Sequence, residues 1–554
     1  MIKDKSNQKF NLVNLINNTM DKNSKKIAII KDNNSITYGE LKRKSISVAE
    51  YISKELNLKN ANIAFEAKRE IETYILLLGI IFSGNTFIPI NEKWPDSRKQ
   101  NVLKRCSALL LDYNKINLEN NKDDLENSIN EIIYIIFTSG STGEPKGVKI
   151  SQDALANTII SVNELLRLNK QEKMLAISDL SFDLSMYDFF GTLLLGGQLI
   201  LLSYLRLEEI MSKLDNITLW NSVPMILDSF LNYALVNNPN YKNLSIKNIV
   251  LSGDKIPISL IKKSRKIFPN AEIYSFGGAT EGTIWSIYFP IKSDNYKNNI
   301  IPYGYPLKNQ EIFVLNKNLE PVKENEKGII YIGGRGLALG YFDDELETDN
   351  KFIYTEKYGR IYNTGDYGTY DIKNNITYIW GRADKQIKLN GNRIEIEDIE
   401  NVFLNFPKIL DVVVTIDEFK NIILIYKSEE RLNEEDLLDF AKENLPKYMI
   451  PRKFIEVDEF ELTQNGKKEK HYINMKLNMN DNSVKNKIIL IWQEVLHVED
   501  VALEDDFFEK GGDSLKAQIM IKRIEKEINI QLDIRSLLND STLGNLINII
   551  ENSK

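Results

Sequence analysis

Short apolar runs and longer amphipathic stretches take turns along the chain. Between residues 8 and 135, apolar runs at 27–30 and 63–65 alternate with helical periodicity over 38–56 and 70–83. This is the βαβ rhythm of a layered α/β domain. The run Ile132-Ile-Tyr-Ile-Ile136 reads as a buried strand, since it leaves no polar face. From about 385 to 477, strands at 412–416 and 422–426 and a helix over 433–444 read as a compact α+β unit. An Asn- and Asp-rich stretch over 475–486 reads as a linker. Beyond it, Leu515, Ile519 and Ile528 keep roughly to one helical face.

At 554 residues the chain is too long for one core and suggests about three or four domains or subdomains. A net charge of −7 argues against nonspecific nucleic-acid binding, which needs a basic face to displace counterions. Cys106 is the only cysteine, so neither a disulfide framework nor a thiolate metal cluster is available. The two histidines, His471 and His497, read as solvated surface and leave little room for imidazole-based catalysis. The first residues are too polar for a secretory signal, and the apolar runs 74–82 and 192–205 are too short or too interrupted to span a bilayer. A cytoplasmic protein without a membrane partner is expected.

The segment after the 132–136 run, Phe137-Thr-Ser-Gly-Ser-Thr-Gly-Glu-Pro-Lys-Gly-Val148, has the composition of a phosphate cradle. Thr138, Ser139, Ser141 and Thr142 bring hydroxyl donors, Gly140 and Gly143 let backbone N–H groups turn toward an anion, and Lys146 brings positive charge. It is not a Walker A loop, which needs Gly at Pro145 and Ser or Thr at Gly147. The bland alternative is a flexible Ser/Gly linker, but linkers rarely follow a buried strand.

This segment resembles the signature loop of the adenylate-forming superfamily, which includes acyl-CoA synthetases and the adenylation domains of nonribosomal peptide synthetases. The resemblance implies that the loop holds the pyrophosphate end of ATP. The stretches 36–41 and 83–91 resemble two early structural motifs of the family, and 94–132 looks shorter than usual there. In Ser181-Phe-Asp-Leu-Ser-Met-Tyr-Asp-Phe-Phe190, Asp183 reads locally either as a helix cap or as a carboxylate awaiting a partner. By resemblance it pairs with the substrate's α-ammonium, which discriminates amino-acid activation from fatty- or aryl-acid ligation.

Tyr274-Ser-Phe-Gly-Gly-Ala-Thr-Glu-Gly-Thr-Ile-Trp285 matches a further motif, in which Glu281 is implied to help hold Mg²⁺. Gly277, Gly278, Ala279 and Thr280 are implied to border the nucleotide. Gly277 stands where the family's aromatic stacks on adenine, which leaves that contact open; the variant resembles cysteine-activating modules of thiazoline-forming assembly lines. Gly328 to Tyr341 matches a glycine-turn motif, Asp366 suits two ribose hydroxyls, and Arg382 is implied to contact the nucleotide. Asp384 is implied as the hinge of a small mobile subdomain. Lys467, taken alone a solvated turn lysine, matches the family's catalytic lysine, and the catalytic group by resemblance is Lys467, Glu281, Thr138 and Lys146.

Asp505-Asp-Phe-Phe-Glu-Lys-Gly-Gly-Asp-Ser-Leu515 closely resembles the attachment motif of a peptidyl carrier protein. Asp513-Ser514 is otherwise an ordinary helix start. Ser514 is thereby implied to carry 4′-phosphopantetheine.

Together these features imply an α/β fold: a large layered adenylate-forming domain over 1–383, a small α+β subdomain over 384–477 and a four-helix carrier over 478–554. The expected activity of this free-standing didomain is ATP- and Mg²⁺-dependent formation of an aminoacyl adenylate, followed by thioester formation on the carrier. The implied partners are a phosphopantetheinyl transferase and a downstream condensation or cyclisation enzyme. The family's pocket positions fall on Asp183, Leu184, Tyr187, Asn221, Val250, Ser252, Phe276, Ile284 and Trp285, with Lys467 completing the set. Bulky Tyr187, Phe276 and Trp285 leave room for a small side chain, and the mixed wall suits a thiol. L-Cysteine is the first choice, with serine, threonine and valine behind it. The competing classes are an acyl- or aryl-acid CoA ligase and a catalytically dead scaffold.

Overall fold

The structure is a computed structural model. It describes residues 9–116, 130–138, 145–293, 296, 300–324, 326–382, 387–389, 392–416, 421–457, 484–496, 498, 501–512, 514–528, 532 and 541–552. Ser139, Gly140, Ser141, Thr142, Gly143, Asp384, Lys467, His471 and His497 lie outside the described residues, and so does the side chain of Ser514.

Two large sheets build the first half. The nine-stranded sheet runs, edge to edge, through Tyr305–Pro306, Ile287–Pro290, Glu272–Gly277, Asn248–Leu251, Leu219–Ser222, Lys173–Ala176, Gln198–Leu201, Ile27–Lys31 and Asn34–Thr37. The six-stranded sheet runs through Gly340–Tyr341, Lys146–Ser151, Ile132–Thr138, Thr86–Ile90, Asn62–Glu66 and Leu109–Leu110. Helix Ile71–Phe82 touches strands of both sheets and buries every residue except Glu72. A helix apolar all round is stable only inside a core. It approaches its neighbour Tyr38–Glu50 so closely that a Cβ on Gly79 would lie 2.4 Å from the Val48 side chain. That neighbour starts at a capping box in which Thr37 and Glu40 satisfy each other's end groups.

The buried run at 132–136 is the heart of strand Ile132–Thr138, which turns back on Lys146–Ser151 as an antiparallel hairpin with Thr138 opposite Lys146. A five-stranded sheet follows, in which Gly359–Asp371 pairs with Gly328–Gly334, Phe352–Thr355 and Ile376–Arg382.

The expected α+β unit is a three-stranded sheet of Ile409–Ile416, Ile422–Ser428 and Lys453–Glu456 covered by helices Ile396–Leu404 and Glu434–Asn444. Its own core gathers Ile399, Phe403, Leu424 and Leu437. The C-terminal helices Val484–Leu496, Ser514–Ile528 and Leu543–Asn552 close around Trp492, Phe507 and Met520. No helix among the described residues is long and apolar enough to cross a membrane.

These units touch. Tyr448 sets its ring 6.3 Å from Phe182, beside Asp183. Arg452 donates to the carbonyls of Leu496 and Gly511, both at 2.7 Å. Ile519 leans on the second core of the large domain, and Gln518 donates to Glu208.

Candidate functional site

Parallel pairing aligns the strand ends that form the site. Asn221 lies opposite Val250 and Val250 opposite Tyr274, so Ser252 and Phe276 emerge side by side at the carboxyl edge of the nine-stranded sheet. Such an edge is where open α/β sheets hold ligands. A cavity of about 460 Å³ opens there. Asp183, Leu184, Ser252, Phe276, Ile284 and Trp285 line it, together with Gly277, Gly278, Ala279, Thr280, Asp366 and Arg382. Most of the residues proposed from sequence for two different ligands thus share one space.

Three of the expected pocket residues stand behind this wall. Tyr187 is buried with its ring 4.9 Å from that of Trp285, and its hydroxyl donates to Asn163 at 3.0 Å. Asn221 donates to Asp188 at 2.7 Å, and Val250 is wholly enclosed in its strand. They shape the pocket by supporting its lining. Two buried polar atoms on the lining, Ser252 Oγ and Trp285 Nε1, have no hydrogen-bond partner among the described residues. Buried donors are nearly always paired, so a polar ligand group is the natural complement.

The backbone is strained at this wall. Thr283 and Ile284 adopt φ of 57° and 69°, a conformation that a β-branched residue rarely takes. The turn is held by Ser286 N–H on the Gly277 carbonyl at 2.8 Å and Trp285 N–H on the Thr283 carbonyl at 2.9 Å. Together these bonds carry Ile284 and Trp285 into the cavity wall. Strain of this kind persists only where surrounding contacts over-determine it.

Asp183 sits at the head of a short helical turn, Leu184–Met186, and makes no capping hydrogen bond to it. The local cap reading therefore fails. Asp366 and Arg382 lie opposite each other on paired strands, with 3.2 Å between guanidinium and carboxylate. Both residues line the cavity.

The catalytic set divides differently. Lys146 is buried with its ammonium 2.8 Å from Glu347 and 5.7 Å from the Tyr341 ring centre. Thr138 Oγ1 reaches the Lys146 carbonyl at 3.5 Å. Glu281 is fully buried and accepts a 2.7 Å bond from the Tyr341 hydroxyl. Neither Lys146 nor Glu281 lines the cavity itself. Glu347 and Tyr341 were missed as functional partners by sequence reasoning, although Tyr341 closes one of the matched motifs.

No group of three or more acidic, His or Cys side chains gathers among the described residues. Mg²⁺ at phosphate sites takes one or two protein carboxylates and fills its shell with phosphate oxygens and water. Glu281 fits that role, with Tyr341 fixing its orientation. Burial pushes the Asp188 carboxyl up to about 7 and the Cys106 thiol up to about 12, so Cys106 is no nucleophile at neutral pH.

The sequence matches the AMP-binding enzyme family over residues 16–123 and 111–342, its C-terminal domain over 398–467, and the phosphopantetheine attachment site over 486–550. Bacitracin synthase 1 of Bacillus licheniformis is 35% identical over 545 residues, covering 93% of this chain and 10% of the synthase. The anguibactin system regulator of Vibrio anguillarum is 31% identical over 547 residues, covering 90% of this chain and 52% of that protein. The chain thus spans between a tenth and about half the length of these relatives. A nonribosomal peptide synthetase protein containing adenylation and PCP domains, solved in holo form with a vinylsulfonamide inhibitor, superposes with TM-score 0.83 at 20% identity, covering 98% of this chain and 97% of its own. A four-domain nonribosomal peptide synthetase bound to AMP and glycine superposes with TM-score 0.62 at 25% identity, covering 98% and 43%. With the fold, the cavity and the matched segments in the same order along the sequence, the chain belongs to the AMP-binding enzyme family, as an adenylation domain of nonribosomal peptide synthetase type joined to a phosphopantetheine-attachment domain.

Proposed function

We propose that the protein activates a small amino acid, L-cysteine in first place, as its adenylate and loads it on its own carrier. One observation carries this reading: a single cavity gathers Asp183, suited to an ammonium, with Asp366 and Arg382, suited to a ribose. An amino acid bound through Asp183 presents its carboxylate to the α-phosphorus of ATP, and pyrophosphate leaves in line. Positioning and charge neutralisation supply most of the acceleration in such transfers. Thr138, the 139–143 segment, Lys146 and Lys467 serve the departing phosphates, and Glu347 pairs with Lys146. Glu281 would hold Mg²⁺, which neutralises phosphate charge when bound.

The units work as a large domain over 1–383, a subdomain over 384–477 that swings about Asp384, and a carrier over 478–554. A 4′-phosphopantetheine arm on Ser514, installed by a phosphopantetheinyl transferase, supplies the thiol that receives the acid. A condensation or cyclisation enzyme then takes the product. The need for ATP supports a cytoplasmic setting.

Ser252 Oγ and Trp285 Nε1, both unpaired among the described residues, support a weakly polar side chain over an aliphatic one. The Ser252 hydroxyl also favours serine as second choice. Amino-acid-dependent pyrophosphate exchange across a substrate panel tests the reading, together with intact-mass measurement of the holo protein given ATP and each amino acid. Valine turning over well above cysteine would overturn cysteine. Free acyl-CoA in place of protein-bound acid would overturn the loading reaction.

A further inference from the structure

Gly277 ends strand Glu272–Gly277 on the cavity wall without a side chain. Its missing side chain is not replaced by empty space. A Cβ built there would lie 2.0 Å from Cε2, 2.7 Å from Cζ and 2.9 Å from Cδ2 of Tyr303, a residue from a separate segment of the chain. Tyr303 lines the same cavity as Asp366 and Arg382. Its neighbour Gly304 is clamped by two 3.0 Å backbone hydrogen bonds to Thr377 and has φ of 117°. A Cβ on Gly304 would lie 2.0 Å from the Tyr288 carbonyl oxygen, so the main chain is pinned beside the ring. The ring is thus held in place of the side chain that position 277 lacks.

The other aromatic rings on the lining are already engaged. Phe276 and Trp285 pack on each other at 4.9 Å, Tyr362 packs on Phe352 at 5.0 Å, and Trp380 donates its indole N–H to Thr369 at 2.8 Å near the rim. Tyr303 pairs with none of these rings and packs on the cluster of Val314, Val322 and Ile330. A purine whose ribose rests on Asp366 presents a flat apolar face, and an aromatic ring lining the same cavity is a fitting complement.

We propose that Tyr303 supplies the surface on which the adenine of ATP stacks, substituting from another segment for the side chain absent at Gly277. This rests on reading the cavity as the nucleotide site.

Calorimetric titration of the full-length protein with ATP tests it. Tyr303→Leu should weaken ATP binding about 10-fold, and Tyr303→Phe, which keeps the ring, should recover most of the affinity. Inorganic tripolyphosphate, which has no base, should bind Tyr303→Leu and the parent protein equally. Gly277→Ala, whose Cβ displaces the ring, should weaken ATP in the same way and decides the matter if Tyr303→Leu does not fold. ATP affinity within twofold of the parent in a folded Tyr303→Leu or Gly277→Ala protein overturns the proposal, as does equal loss of tripolyphosphate. Asp366→Ala separates the two readings. Weakened ATP binding there with none in Tyr303→Leu removes only the stacking role, whereas no effect in either removes the site as well.

Discussion

Tyr341 donates a 2.7 Å hydrogen bond to the buried carboxylate of Glu281, and the same ring faces the ammonium of Lys146 at 5.7 Å. One side chain therefore ties the expected metal carboxylate to the expected phosphate lysine. It does so because strand Gly340–Tyr341 pairs with Lys146–Ser151, and the Glu281 carbonyl accepts the Ala338 N–H at 2.8 Å. The consequence is a buried charge held in one orientation.

Tyr341→Phe keeps the ring and removes that donor. A hydrogen bond to a charged group contributes about 1.5–3 kcal/mol, so the variant should lose roughly that much stability and need more Mg²⁺ for half-maximal pyrophosphate exchange. Thermal unfolding and a Mg²⁺ titration of the exchange rate check the two effects. An unchanged Mg²⁺ requirement would remove the orienting role.

Lys146 and Glu347 form an ion pair with side-chain exposures of 5% and 20%. Removing Glu347 takes a carboxylate partner from a buried lysine, at a cost of about 1–3 kcal/mol. Glu347→Ala should therefore destabilise the fold, while Lys146→Met combined with Glu347→Leu should cost less than the two changes summed. A double-mutant cycle by denaturant unfolding measures the difference. Simple additivity would mean that the pair contributes no coupling.

Asp188 carries the clearest pH signature. Its carboxyl is raised by burial from 3.8 to about 7, a shift opposed by the hydrogen bond from Asn221. The folded state thus binds the proton more tightly than the unfolded state. The penalty is absent below the ordinary value of 3.8, grows as pH rises and is complete above about 7. Asp188→Asn should unfold at a higher temperature than the parent at pH 8, by an energy on the order of a few kcal/mol, with the gap narrowing toward pH 4. A gap independent of pH would show that Asp188 is not the titrating group.

Arg452 reaches from the small subdomain to the carrier, donating to Leu496 and Gly511 carbonyls at 2.7 Å each. Gly511 has φ of 86°, which favours glycine, and a Cβ there would meet the guanidinium at 2.2 Å and push it aside. Arg452→Ala should slow acid loading on the carrier about 10-fold through the lost charged hydrogen bonds, with pyrophosphate exchange unaffected. Time-resolved intact-mass measurement follows the first, and equal loading rates would show that this contact is not used.

Local pattern carried much of the fold. The five apolar residues from Ile132 to Ile136 read as a buried strand and are one, and the apolar stretch after Glu70 became a helix that buries every residue but Glu72. The helix expected over 433–444 begins one residue later, at Glu434, with Asn433 as its cap. These follow from sequence because hydrogen bonding and periodicity act over a few neighbouring residues. Asp366 and Arg382 were each assigned to the nucleotide from separate motifs, and a strand pair joins them at 3.2 Å. Tertiary structure alone decided that Tyr303 fills the space at Gly277, that Glu347 claims Lys146, and that Tyr187, Asn221 and Val250 stand behind the pocket wall. Those pairings join residues far apart in the chain, and no local periodicity encodes which distant side chain will occupy a given volume or neutralise a given charge.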